Sequence, residues 1–423
     1  MADNLAILQK YNFWDAVFPD LGVTRQAYLS KLRHYTGNRL VKVIVGQRRT
    51  GKSFLLRQAI RELVNSGIPA SNIFYLNKEY TDFDFVSNYK HLDRLIKSYL
   101  DWMKPKGKVF LFIDEIQETD GWEKLVNAYS QNHAEDYEIF ISGSNAHVLS
   151  GELATLLSGR YVELEVFPFD YSEHLASAGL VPGKESFQKY MLSGGLPELM
   201  HLQNDEMRRN YLSSIRDAIL LRDVVQRYSV KDSRLLEDIF AFLVNNASKL
   251  VSVNNIINWF ASKNRKTNYE TVSNYISHLC GTFIIHRADR YNIKGKDVMA
   301  GNCKYYINDL SFKNYIYPGF SYGYGYMLEN LVYLNLRQAG FDVYVGFLRN
   351  REIDFVAIKA DRTIYAQVAY TLTEPATIER EYSQLESIDD HFEKYVVSLD
   401  DITLPNRRGI RNVQAWQFDS ALR

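Results

Sequence analysis

The sequence predicts an α/β fold built on a parallel sheet, and three observations carry that prediction. Apolar, β-rich runs at 41–45, 73–76, 109–113, 138–142 and 161–167 alternate with stretches of helical periodicity such as 86–103 and 121–134. Strands alternating with helices form parallel sheets covered on both faces. The first run leads straight into a glycine-bounded turn, and the third ends in two adjacent carboxylates. Polar residues therefore collect at the carboxyl ends of the strands, where such sheets bind ligands. Ahead of the sheet, residues 1–40 read as a helical lead-in, with Tyr28, Leu29 and Leu32 at helical spacing on one face.

The turn after the first strand reads Gly46-Gln47-Arg48-Arg49-Thr50-Gly51-Lys52-Ser53, and a helix opens at Phe54. Strand, G-x-x-x-x-G-K-S and helix in that order form a P-loop, whose backbone N–H groups wrap a phosphate at the positive end of a helix. Residues 46–54 are accordingly the expected ATP contacts, with Lys52 on the β- and γ-phosphates and Ser53 on Mg²⁺. Arg48 and Arg49 occupy the variable positions and could face phosphate, a neighbour's acids or solvent. Val109-Phe-Leu-Phe-Ile-Asp-Glu115 has the form of a Walker B strand. Asp114 is expected to support the Mg²⁺ shell and Glu115 to polarise the attacking water, which points to hydrolysis rather than binding alone.

The chain's 423 residues exceed a single core and imply two or three domains, and 46% apolar content excludes global disorder. Fifty basic residues balance fifty acidic ones, so any attraction to nucleic acid must be local. Two cysteines, Cys280 and Cys303, no charged-then-apolar leader and no apolar run near eighteen residues predict a protein of the cytoplasm without membrane contact.

After the P-loop domain (1–170), residues 171–231 read as a helical lid region, broken by the turn Ser193-Gly-Gly-Leu-Pro197. From 232 to 318, helices at 234–247, after Ser252 and through Asn268 precede two strands, 282–286 and 304–308, the outline of a winged helix. Residues 319–423 form a small α/β domain, with helices at 325–339 and 379–391 and strands near 341–347, 352–358, 363–370 and 394–399. Between Lys249 and Lys304 nine Lys/Arg face three acids. That local excess suits DNA phosphates, with Asn268, Tyr269, Thr271 and Asn274 opening a recognition helix. Winged helices also serve as oligomerisation lids. Two smaller signals lie in the first domain. Asn145 or Ser144, at the exit of the 138–142 strand, could contact the γ-phosphate or water, or cap the next helix. Arg160 could reach a neighbouring subunit's γ-phosphate as an arginine finger, or lie in solvent.

Gly46–Ser53, Phe112-Ile-Asp-Glu-Ile-Gln117, Ile141-Ser-Gly-Ser-Asn145, Leu156-Leu-Ser-Gly-Arg-Tyr161, Phe167-Pro-Phe169 and Gly194-Gly-Leu-Pro197 together resemble the AAA-type ATPases near the archaeal and STAND branch, which carry a C-terminal domain of unknown function. The resemblance spans nearly the whole chain. It implies that Gly195 and Pro197 sit by the nucleotide base and that Arg160 acts between subunits of a homo-oligomer. It also implies a restriction-endonuclease-like C-terminal domain, with Glu329 on a helix, Asp354 on a strand and Gln367 where the Glu of Glu-x-Lys would stand. Here the strand reads Gln367-Val-Ala369, without that Glu or the Lys, so the expected domain is a structural or DNA-contacting remnant with a degenerate site rather than a nuclease. The function expected is a Mg²⁺-dependent ATPase coupled to DNA binding or remodelling. The alternatives are a STAND-like switch acting through protein partners and an ATP-regulated nuclease.

Overall fold

Val41–Val45 (β1) is buried along its whole length, as are Ile73–Asn77 (β2), Val109–Asp114 (β3) and Tyr137–Gly143 (β4). With Tyr161–Glu165 (β5) they pair in the order β2-β3-β4-β1-β5, every pairing parallel. Burial on both faces is why β1 to β4 read as largely continuous apolar runs, whereas β5, at the border of the sheet, alternates. A computed structural model describes residues 2–132, 134–146, 157, 159–318, 323–349 and 351–422, with backbone only for 2–4. The chain divides into two compact units, Met1–Val166 and Phe167–Arg423.

In the first unit the helix Lys52–Asn65 buries Leu55, Leu56, Ala59 and Ile60. The helix Gln26–Tyr35 buries Tyr28, Leu29 and Leu32, the face its spacing predicts, and both join Ile44, Phe112 and Phe140 in one core. Each fully buried Leu, Ile or Phe among them contributes about 1.5–3 kcal/mol. The rings of Phe112 and Phe140 stack at 4.4 Å across β3 and β4. This packing fixes the ends of β1, β3 and β4, and so the groups carried beyond them.

The second unit opens with the helices Tyr171–Ala178, Lys184–Ser193 and Asp205–Asp217, the last running on as a π-helix over Ala218–Gln226. The π-helical stretch has a different period from the ordinary helix that the spacing predicts. Three helices follow, Ser233–Asn245, Val253–Ser262 and Tyr269–Gly281, with the short strand Leu250–Val251 (β6) after the first. Ile285–Asn292 (β7) and Asp297–Ile307 (β8) form a hairpin. After the helix Tyr324–Gln338 come Asp342–Leu348 (β9), Arg351–Lys359 (β10) and Arg362–Ala369 (β11). The helix Pro375–Glu386, Glu393–Ser398 (β12), Ile410–Gln414 (β13) and a short helix Phe418–Leu422 complete the chain.

All eight strands of this unit lie in one mixed sheet, ordered β13-β12-β11-β10-β9-β7-β8-β6. Sequence reading divides the hairpin from the strands beyond residue 318, but β7 pairs in parallel with β9 through Arg290↔Val345, Tyr291↔Gly346 and Asn292↔Phe347. Residues on both sides of the divisions read at 231/232 and 318/319 also share one hydrophobic core, from Phe167 and Leu212 through Phe240 and Tyr306 to Phe355 and Phe418. Short segments read separately carry no signal of such pairing, because it joins residues more than fifty positions apart.

Candidate functional site

The turn after β1 is shaped by its glycines. At Gly46, φ is 144°, and a Cβ there would stand 2.3 Å from the Val166 carbonyl oxygen. Arg49 and Gly51 adopt left-handed conformations. Lys52, at the start of its helix and 4% exposed, donates to the carbonyls of Gly46 and Gln47, each at 3.0 Å. Its ammonium lies 3.8 Å from the Glu115 carboxylate. Thr50 Oγ1 closes the turn on the Gln47 carbonyl, and the Thr50 carbonyl accepts from the buried guanidinium of Arg25 at 3.0 Å. Arg48 pairs with Glu79 at 3.0 Å, and the Phe54 side chain is exposed, with Arg57 over its ring.

Asp114 is fully buried where β3 ends. It accepts from Asn77 Nδ2 at 3.0 Å, from Tyr75 OH at 3.3 Å and from Ser142 Oγ. Register explains two of these partners: Asn77 is paired beside Asp114, and Ser142 lies on β4, the neighbouring strand. Glu115 is left-handed at φ 53°, its N–H bonds Ser142 Oγ at 3.1 Å, and its carboxylate accepts from Gln117.

Burial and the Glu115 charge push the Asp114 carboxyl upward, against the pull of Ser142, Ser53 and Lys52. Burial also opposes ionisation of Glu115, but Lys52, Gln117, Arg48 and Ser144 outweigh it and hold that carboxyl below its ordinary range. Burial pulls the Lys52 ammonium down, with Glu115 and Asp114 opposing. Adjacent acids pushed in opposite directions are a mark of sites where two carboxylates take different roles. The turn, the buried ammonium and a hydroxyl beside a carboxylate form a donor set that fits a phosphate chain and a hard divalent cation.

The family model described as "AAA domain" matches residues 38–175, which hold this turn and both acids, and one described as "Domain of unknown function (DUF8612)" matches 184–320. An uncharacterized protein of Haemophilus influenzae is 35% identical over 380 residues, covering 89% of this chain and 93% of the relative. The chain belongs to the AAA-type P-loop ATPase family. An uncharacterized protein of Methanocaldococcus jannaschii, MJ1544, is 29% identical over 360 residues, 79% of this chain and 75% of that one. Among solved structures, the Walker-type ATPase PABY2304 of Pyrococcus abyssi aligns at 17% identity and a TM-score of 0.45, over 70% of this chain and 97% of that one.

In this AAA-type chain, Asn145 and Ser144 are both buried just beyond β4. Arg160 is exposed ahead of β5, and its backbone carbonyl accepts from Val41 N–H at 3.0 Å. Leu156 and Ser158 of the motif before it lie outside the described residues. Gly195 and Pro197 belong to the second unit. The Gly195 N–H donates to Asp309 Oδ2 at 2.7 Å, its carbonyl accepts from Phe169 N–H, and Pro197 opens a 3₁₀ turn. Asn77 and Arg25 join the P-loop site from outside the motifs quoted above, and Ser142 and Gln117 from within them; Asn77's signal is a polar residue ending an apolar strand, and Arg25 has none.

The second unit brings Glu329, Asp354 and Gln367 together. The Gln367 carbonyl oxygen accepts from Asp354 N–H at 2.6 Å, and its amide donates to Glu381 at 3.2 Å and to Gln384. Lys304, on β8, reaches Glu329 and Glu352 at 2.8 Å each and Asp354 at 3.7 Å. Lys304 is 3% exposed, which corrects its reading as one of the cations facing phosphate. Burial pushes the Glu329 carboxyl up to about 8, with Lys304 and Tyr306 pulling it down. Beside the cluster lies a cavity of about 330 Å³, lined by Glu352, Asp354, Arg380 and Glu381 among others. Among the described residues, no three His, Cys, Asp or Glu side chains are grouped so as to hold a metal ion. Nor is any helix among them long and apolar enough to cross a membrane.

Proposed function

We propose that this chain hydrolyses ATP with Mg²⁺ at the P-loop and couples the cycle to DNA through the winged-helix segment, as a homo-oligomer in which Arg160 serves the neighbouring site. The P-loop turn that holds Lys52 3.8 Å from Glu115, with Asp114 fixed where β3 ends, carries the hydrolysis reading. Residues 46–54 would hold the phosphates by their N–H groups, and Ser53 and Asp114 would hold Mg²⁺, which neutralises charge on the transferred phosphoryl. Glu115, kept ionised by Lys52 and Gln117, is the group suited to orient and polarise the attacking water. Lys52 places a buried positive charge at the reacting end, where low dielectric strengthens it. The exposure of Arg160 suits a group that acts outside its own subunit.

The winged-helix reading is supported by three helices and a hairpin, with the exposed face Asn268, Tyr269 and Asn274 opening the third helix. The apparent cationic excess is smaller than the sequence suggests. Arg265 pairs with Asp232 and Asp238, Arg287 with Asp289, and Lys304 with the buried acids. Beyond residue 319, the order helix, three strands, helix, strand supports a restriction-endonuclease-like core. Gln367 bound to Glu381 and Lys304 sunk among the acids favour a remnant over a nuclease.

Steady-state ATPase rates against protein concentration, with and without duplex, single-stranded and four-way-junction DNA, test this. Stimulation by one DNA form, a rate that rises faster than concentration, and loss of turnover in Glu115→Gln and Arg160→Ala are expected. A rate indifferent to every DNA would move the reading to the nucleotide switch.

A further inference from the structure

We propose that the two hairpin turns at one end of the second unit's sheet form a single docking surface for the phosphate backbone of duplex DNA. This rests on the DNA reading above and assigns it a place. β7 and β9 are parallel neighbours in register at Asn292↔Phe347, so both strands run out at the same end of the sheet. The turn after β7 carries Lys294 and Lys296, Arg349 follows the last residue of β9, and Arg351 opens β10. All four side chains are exposed, and they line one groove of about 690 Å³.

These cations differ from the others that the sequence places near the winged helix. Arg265, Arg287 and Lys304 are held in ion pairs, and the guanidinium of Arg290, just before the turn, sits over the Phe347 ring, 3.6 Å from its centroid. Lys294, Lys296 and Arg349 have no ion-pair partner among the described residues, and Arg351 makes only a long contact, 3.5 Å, to the Ser383 carbonyl. Two carboxylates share the groove, Asp389 and Asp390. Asp390 is already engaged, accepting from Tyr365 OH at 2.7 Å and from the Phe392 N–H at 3.2 Å. Four exposed cations thus line the groove with one unengaged acid, Asp389, while a further exposed acid, Asp297, follows Lys296.

A duplex presents a continuous ribbon of phosphates, and exposed Lys and Arg on adjacent turns match that ribbon without reading bases. The groove would therefore fix register and orientation, while the helix Tyr269–Gly281 supplies any sequence preference. It also explains why the hairpin is built into the larger sheet. Pairing β7 with β9 holds the second pair of cations at a fixed distance from the first.

The test is fluorescence anisotropy with a labelled random-sequence duplex across a series of KCl concentrations. It compares the full chain, Lys294→Ala/Lys296→Ala, Arg349→Ala/Arg351→Ala, the fourfold variant, Asn268→Ala/Tyr269→Ala and, as a distant surface control, Lys189→Ala. Thermal unfolding of each variant reports whether it is folded. The expected result is weaker binding to every sequence alike, with the slope of log affinity against log salt falling by about 0.9 for each phosphate contact removed. Either pair alone should lower the slope. If the wild type binds and the fourfold variant keeps its affinity and slope while Asn268→Ala/Tyr269→Ala loses them, the groove is overturned and the DNA reading stands. If the wild type binds no duplex at any salt, the DNA reading falls and the groove with it. Binding of an acidic polypeptide such as polyglutamate, but not of duplex, would reassign the surface to a protein partner.

Discussion

Replacing Lys304 with Met removes the buried cation paired with Glu329 and Glu352, and the structure allows the loss to be sized. Lys304 lies 2.8 Å from each of these acids and is 4% exposed at its side chain, while Glu329 and Asp354 stay largely out of solvent. Breaking a buried pair by removing one partner destabilises by about 3–5 kcal/mol, because the remaining charge is left uncompensated. Protonation relieves part of that loss. The Glu329 carboxyl is already raised to about 8 by burial, and loss of Lys304, which pulls it down, raises it further. A carboxyl whose folded pKa exceeds its unfolded value, here 4.5, binds more protons when folded. In the wild type its contribution is full below about 4.5 and is lost as pH rises through about 8, whereas in Lys304→Met the loss continues to higher pH, so the deficit should grow above about pH 8. Hydrogen exchange of peptides covering 297–307 and 324–338, corrected for intrinsic rates, reads this locally. Exchange should accelerate by roughly two to three and a half orders of magnitude at pH 8.5 and by less at pH 6. A deficit under about 1 kcal/mol at both pH values, or a larger one in acid, would refute the account.

Three further outcomes follow from contacts described above or seen beside them. Gly195→Ala brings a Cβ to 2.4 Å from the Phe169 carbonyl, and Gly194→Ala, at φ 81°, brings one to 2.1 Å from Asp309 Oδ1. Each should lower the unfolding temperature by an amount corresponding to about 1–3 kcal/mol, and an unchanged melt would count against the tight turn. Arg25→Met, which removes the charged hydrogen bond to the Thr50 carbonyl, should weaken binding of a fluorescent ATP analogue about ten- to a hundredfold, with partial recovery in Arg25→Lys. Hydrogen bonding from Arg362, helped by Tyr395 and Arg411, holds the Glu393 carboxyl down to about 2. That contribution is present above its unfolded pKa of 4.5 and is lost as pH falls toward 2, so Glu393→Gln should flatten acid unfolding in that range.

The P-loop, the two acids beyond β3 and the parallel sheet are legible in the sequence because each is a local pattern: an apolar strand, then the chemistry at its end. The second unit is less so. Lys304 reads as one more surface cation because only packing sinks it among acids from a later helix and strand. The helix read at 379–391 starts at Pro375, where a proline at the first helical position was the available signal. β13 went unread because Arg411, Asn412 and Gln414 outnumber its apolar residues. Ser142 and Asn77 carry no role in the sequence reading for a related reason. Their importance lies in which residue stands beside them on the next strand, and register is not written in either strand alone.

The shared sheet also bears on how this chain avoids sticking to itself. Its two borders are a two-residue strand, β6, and the polar β13, where Arg411 pairs with Glu393. Short or charged borders discourage another chain from adding a strand. Cutting after residue 318 would strip β9 from β7 and lay bare the backbone of Arg290, Tyr291 and Asn292, an interior strand with no such protection. The N-terminal fragment would then present a fresh template for strand addition, and its fate in solution should be self-association rather than an independent winged helix.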